Sequence, residues 1–64
     1  MFNEGDRVAI IRARHGWHDG RTEGIVILKH MKKGRSTFSY LVKDDAGEIY
    51  EINKTKDLKA AQTV

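Results

Sequence analysis

There is no cysteine among the 64 residues, which excludes a disulfide framework and a thiolate zinc site as reinforcement for the fold. Proline is also absent, and no internal repeat or low-complexity segment occurs, so a proline-rich linker or a tandem array is excluded as well. No apolar run approaches the roughly 20 residues that cross a bilayer, and the opening MFNEGDR lacks the basic-then-apolar order of a signal peptide. A soluble, cytoplasmic protein without a membrane partner is the expectation. A chain this short buries only about 60% of the surface its unfolded form exposes. That supports one modest domain, expected over 1–59, with 60–64 as a tail that has little to hold it. Catalytic signatures are missing too. With no cysteine nucleophile, no Gly-x-Ser-x-Gly elbow and no phosphate-cradling glycine loop, the chain is expected not to be an enzyme and to carry no cofactor.

What is present organises itself around Gly5 to Leu28. Two apolar strands are predicted there, Arg7 to Arg14 and Glu23 to Leu28, joined by a loop from His15 to Thr22 rich in glycine, histidine and charge. Alternation places Val8 and Ile10 in the core. In the second strand Val26 and Leu28 share one face and Ile25 and Ile27 the other. Apolar residues on both faces predict that this strand is covered on both sides. A third strand is expected over Thr37 to Lys43, with Phe38, Tyr40 and Val42 on one face, and a fourth over Glu48 to Ile52, with Tyr50 and Ile52 inward. Between them, Asp44-Asp45-Ala46-Gly47 has the local hydrogen bonding and the tolerance of positive φ that a tight turn requires. Asn53 to Leu58 is too short for a stable helix and suits a single helical turn leading to a short last strand or an anchoring Leu58. These elements predict an all-β protein: a small five-stranded antiparallel barrel.

The residues that carry this pattern resemble the SH3-like barrels and, within them, the KOW-like ones. The matching positions are Gly5-Asp6-Arg7-Val8, the Gly20 to Gly24 passage followed by Ile25-Val26, and Tyr40-Leu41-Val42-Lys43-Asp44-Asp45 with Gly47. Gly20 and Gly24 enclose three residues where KOW motifs usually enclose two. The resemblance covers Gly5 to Leu58. It implies a binding module, since such barrels serve ribosomal and transcription proteins, chromatin readers and small subunits of photosynthetic complexes.

The charge pattern points the same way. Twelve Lys and Arg against nine Asp and Glu give a net charge of +3. No acid occurs between Glu23 and Asp44, an interval that gathers Lys29, His30, Lys32, Lys33 and Arg35 around a turn at Gly34. Such a turn can meet successive phosphates or an acidic protein, or can be a solvated surface. A second candidate surface combines Arg12, Arg14, His15 and Arg21 with Trp17, the single tryptophan. Trp17 has two readings: a cap on one end of the barrel, contributing core area, or an exposed platform on which a base stacks while the arginines engage phosphates. His15, His18 and Asp19 are ligand types for zinc or nickel, but a flexible loop without further ligands is a poor preorganised site, and no metal is expected. Asp44 and Asp45 are explained by turn chemistry rather than as an acid pair. The expected function is therefore nucleic-acid binding, RNA or DNA, through the two basic loops. The alternative is a protein-interaction module or a small accessory subunit of a larger complex.

Overall fold

A computed structural model describes residues 2–31 and 38–61. Five antiparallel strands form one sheet: β1 (Arg7–Ala13), β2 (Gly16–Met31), β3 (Phe38–Asp44), β4 (Ile49–Ile52) and β5 (Leu58–Ala60), in the order β4-β3-β2-β1-β5. A single 3-10 turn, Thr55–Asp57, lies where the helical turn is expected, between β4 and β5. The architecture is all-β and compatible with a small SH3-like barrel. Among the described residues no helix is long and apolar enough to cross a membrane. The hairpin tip after β1 folds back over β4, where the Arg14 N–H donates to the Glu51 carbonyl at 3.0 Å. The segment ahead of β1 continues along the β1-facing edge of β2: Gly5 N–H donates to Val26 O, and Val26 N–H to Asp6 O. At the far end, Ala61 N–H donates to Arg7 O at 3.2 Å.

The core follows from alternation. Val8, Ile10, Ala13, Val26, Tyr40, Val42, Ile52 and Leu58 are buried together, with Phe2, Phe38 and Tyr50 packed against them. No buried side-chain polar atom among the described residues lacks a hydrogen-bond partner. Tyr40 satisfies its hydroxyl by sharing a hydrogen bond with Thr55 Oγ1 at 3.0 Å, so its ring can be buried without stranding a polar group.

Two expectations are corrected. The segment His15 to Thr22 is not a loop. Only Arg14 and His15 turn, and β2 begins at Gly16, with Ala13 opposite Gly16 and Arg12 opposite Trp17. The irregularity sits further along, where Ile11 alone on β1 faces His18 to Arg21 on β2. Asp19 and Gly20 absorb it with φ of +54° and +74°, a left-handed backbone that these two residue types tolerate better than most. Nor is β2 covered on both faces. The ladder to β3 skips Ile27, since Val26 pairs with Val42 and Leu28 with Leu41. This bulge reverses the phase of the strand beyond it. Val26 stays buried, whereas Leu28 lands on the outer face, 47% exposed.

The Asp44 turn forms as its residue types predict. Asp44 Oδ1 accepts from Ala46 N–H at 2.9 Å and from Glu48 N–H at 2.8 Å, and Gly47 takes φ of +88°. Asp44 Oδ2 also accepts from the Tyr50 hydroxyl at 3.1 Å. This bond, then burial, then the charges of Asp44 and Glu48 hold the Tyr50 phenol above its ordinary value of 10.0. The fold thus favours the neutral phenol, so the stabilisation is complete below pH 10 and is lost as pH rises through the raised value. Asp44→Asn keeps an acceptor for the turn but removes the charge, and an absorbance titration of tyrosinate should show one of the two tyrosines ionising closer to its ordinary value. An unchanged titration would contradict this account.

Candidate functional site

The end of the β1–β2 hairpin is shaped by parity. Ala13 is buried in the core, so its neighbours Arg12 and Arg14 point outward. Trp17 lies directly across from Arg12 in the ladder, and residues opposite one another share a face with Cβ atoms about 5 Å apart. Trp17 is therefore outside, 66% exposed. The barrel-cap reading of this residue is corrected, because the inner position at this end of the hairpin is filled by Ala13. His18 points the other way and is half-buried. Its ring meets Tyr50 edge-on at 5.2 Å, and Nδ1 shares a hydrogen bond with Thr22 Oγ1 at 3.0 Å.

The cations at this end differ in how free they are. Arg14 pairs with Glu51 at 3.1 Å. Both side chains are well exposed, so the pair contributes little to stability, and its effect is to lay Arg14 across β4. Arg12 and Arg21 have no ion pair among the described residues. Arg12 and Arg14 line a shallow depression of about 240 Å³ together with Ala13, Asn53, Lys54 and Asp57. A second one, about 410 Å³, is lined by Trp17, His18, Asp19, Arg21 and Thr22. His15 is exposed in the turn itself. Lys54, supplied by the residue before the 3-10 turn, was not legible in the sequence. It reaches the site through the return of the chain after β4, a long-range placement for which no local pattern exists.

Of the other predicted surface, Lys29 and His30 lie within the described residues. Lys29 is half-buried, with Nζ donating to Asn3 Oδ1 at 3.1 Å and lying 4.6 Å from the centre of the Phe38 ring. Its ammonium thus has neutral partners and, among the described residues, no ion pair. His30 is exposed beside Ser39. Lys32, Lys33 and Arg35, with the turn at Gly34, lie outside the described residues. Among the described residues no group of three or more His, Asp or Glu side chains is close enough to hold a metal ion. His15, His18 and Asp19 do not converge: His18 turns toward Tyr50 while His15 stays in the exposed turn.

Compared with family models, curated proteins and solved structures, the chain matches none of them.

On the outer face of the sheet, cross-strand pairing sets Leu28 beside Leu41, and Lys43 between Ile25 and Ile49. Ile49 is 55% exposed, and Lys43 has no ion pair among the described residues. This apolar face is physically distinct from the arginine-lined tip.

Proposed function

We propose that this protein is a non-enzymatic module that binds nucleic acid through the tip of the β1–β2 hairpin. The observation that carries this reading is the cross-strand pair of Arg12 with an outward-facing Trp17. An indole left in solvent forgoes a large area of burial, and here it lies among cations that their own acids leave unpaired, Arg12 and Arg21. Aromatic faces and guanidinium groups at one spot suit a ligand with flat rings and phosphates. Kinship with KOW-like barrels is part of the same proposal and rests on the Gly5 to Val8 and Gly20 to Val26 stretches. The reading is argued from the hairpin tip because Lys32, Lys33 and Arg35 of the turn after Lys29 lie outside the described residues.

Binding to a mixed pool of RNA and DNA, followed by anisotropy across a salt series, tests it. Arg12, Arg21 and Lys54 meeting three phosphates predict a slope of about −2 to −3 in log K against log salt. Each of Arg12→Ala and Arg21→Ala should lower that slope by about 1. A Lys32→Ala/Lys33→Ala variant measures the share of the following turn. Absence of binding at low salt would sink the proposal.

A second reading, docking on a protein partner, is favoured by the outer face. The partner it fits has an apolar strip bearing a carboxylate to meet Lys43. It gains if no nucleic acid binds at low salt and a co-purifying protein is lost on Leu28→Glu.

A further inference from the structure

We infer that the hairpin tip takes an unpaired base of a single strand, with Trp17 as the stacking surface and the Arg12 side as the phosphate track. This rests on the nucleic-acid reading above and narrows it to one class of substrate. The base faces of a duplex are already covered by their neighbours, so an indole can reach one only where the base is splayed out or by wedging a step apart. Wedging gives up base stacking, which is recovered only by bending the duplex over a broad charged surface. Among the described residues this tip has no such surface. Arg14 is held by Glu51, which leaves Arg12, Arg21 and Lys54 as the cations here without an ion pair among the described residues.

The two depressions divide the work. The one lined by Arg12, Arg14 and Lys54 sets two cations without an ion pair among the described residues, Arg12 and Lys54, and the Glu51-paired Arg14 beside the carboxylate of Asp57, and suits phosphates. The one beside Trp17 is lined by His18, Asp19, Arg21 and Thr22 as well, so it brings one carboxylate and one guanidinium residue next to the indole. A carboxylate repels a phosphate but accepts from the amino group of a base, so this side suits a base edge. Because Arg12 and Trp17 face one another across the ladder, a base stacked on the indole leaves its own phosphate next to the guanidinium. One stacked base and about two or three phosphates is the footprint that these cations can serve.

Trp17 is the single tryptophan, so its emission reports stacking directly. The probes are oligo(dT) and oligo(rU) of about 15 nucleotides, and a blunt mixed-sequence DNA duplex of equal length, at one low salt concentration. Both single strands are expected to quench Trp17 and to bind at least about tenfold more tightly than the duplex. Trp17→Ala should weaken single-strand binding by about ten- to a hundredfold, within the range for losing one stacked base, without changing the salt slope. Trp17→Phe should recover most of it. Because residue 17 is outside the core, circular dichroism should be unchanged in both variants. Duplex binding as tight as single-strand binding, or single-strand binding with no change in Trp17 emission, overturns this inference and leaves nucleic-acid binding standing. No binding of any probe removes both.

Discussion

Gly24→Ala is expected to destabilise the protein by about 3 kcal/mol or more, the upper range for forcing an atom into a packed interior. Gly24 is buried in β2 with a neighbour on each side, opposite Val8 of β1 and Asp44 of β3. A Cβ there would fall 2.8 Å from the Lys43 carbonyl carbon and 2.9 Å from Val42 Cγ1, and closer still to the Lys43 carbonyl oxygen. Two of these atoms are backbone, so relief requires β2 and β3 to separate rather than a side chain to swing away. The total stability of a domain this size is about 3 to 10 kcal/mol, so the variant should be largely unfolded or melt far below the parent. Gly47→Ala is the matched control. Gly47 has φ of +88° with nothing within 4 Å of the added atom, so alanine there meets only the torsional penalty of about 1 to 2 kcal/mol. On melting by circular dichroism Gly47→Ala should lose on the order of 10 °C and keep a cooperative transition. Equal losses in the two variants would show that the close approach of β2 and β3 is not the constraint.

Tyr40→Ala should be about as severe, at about 3 to 5 kcal/mol. Tyr40 is the largest fully buried side chain among the described residues. Its ring meets Phe2 edge-on at 6.3 Å and Phe38 at 6.5 Å, and its hydroxyl reaches Thr55 in the 3-10 turn. One side chain thus ties the N-terminal segment, β3 and the return to β5 together. Tyr40→Phe removes only the hydroxyl and should cost about 1 kcal/mol, because Thr55 Oγ1 loses its partner at a half-buried site. Adding Thr55→Val to Tyr40→Phe should then cost little more, since both polar groups are gone. Urea denaturation of the four proteins checks the series. A Tyr40→Phe loss close to that of Tyr40→Ala would place the stabilisation in the hydrogen bond rather than in the ring.

The parts of the fold that were legible in the sequence are those with one unambiguous phase. Phe38, Tyr40 and Val42 alternate with Ser39, Leu41 and Lys43, and Asp44 to Gly47 has turn chemistry, so β3, the turn and β4 follow directly. The hairpin tip was not legible, because His15, Gly16, Asp19 and Gly20 have the composition of a loop. Pairing of Gly16 and Trp17 with Ala13 and Arg12, and of Thr22 with Ile10, nevertheless ties both ends of the segment to β1. The fate of Trp17 hung on that point: once the turn is confined to Arg14 and His15, parity alone puts the indole outside. The outer face was hidden for the opposite reason. Ile25 to Leu28 are all apolar, so their sequence fits either phase, and only the ladder reveals which residue is skipped. Of the candidate site, Arg12, Trp17 and Arg21 are brought to one end of the hairpin, whereas Lys29 is taken up in packing.

The unpaired Ile27 has one more consequence. A residue lost from the middle of a central strand ordinarily turns everything after it inside out. Here Val26 and Leu28 already occupy adjacent rungs against Val42 and Leu41, so a shorter chain lacking Ile27 would thread the same inner and outer residues in the same order. What it would forfeit is the extra local coiling that a bulge imposes. At this position the length of the polypeptide is decoupled from its sidedness, and insertions or deletions here can drift while the rest of the wall keeps its register.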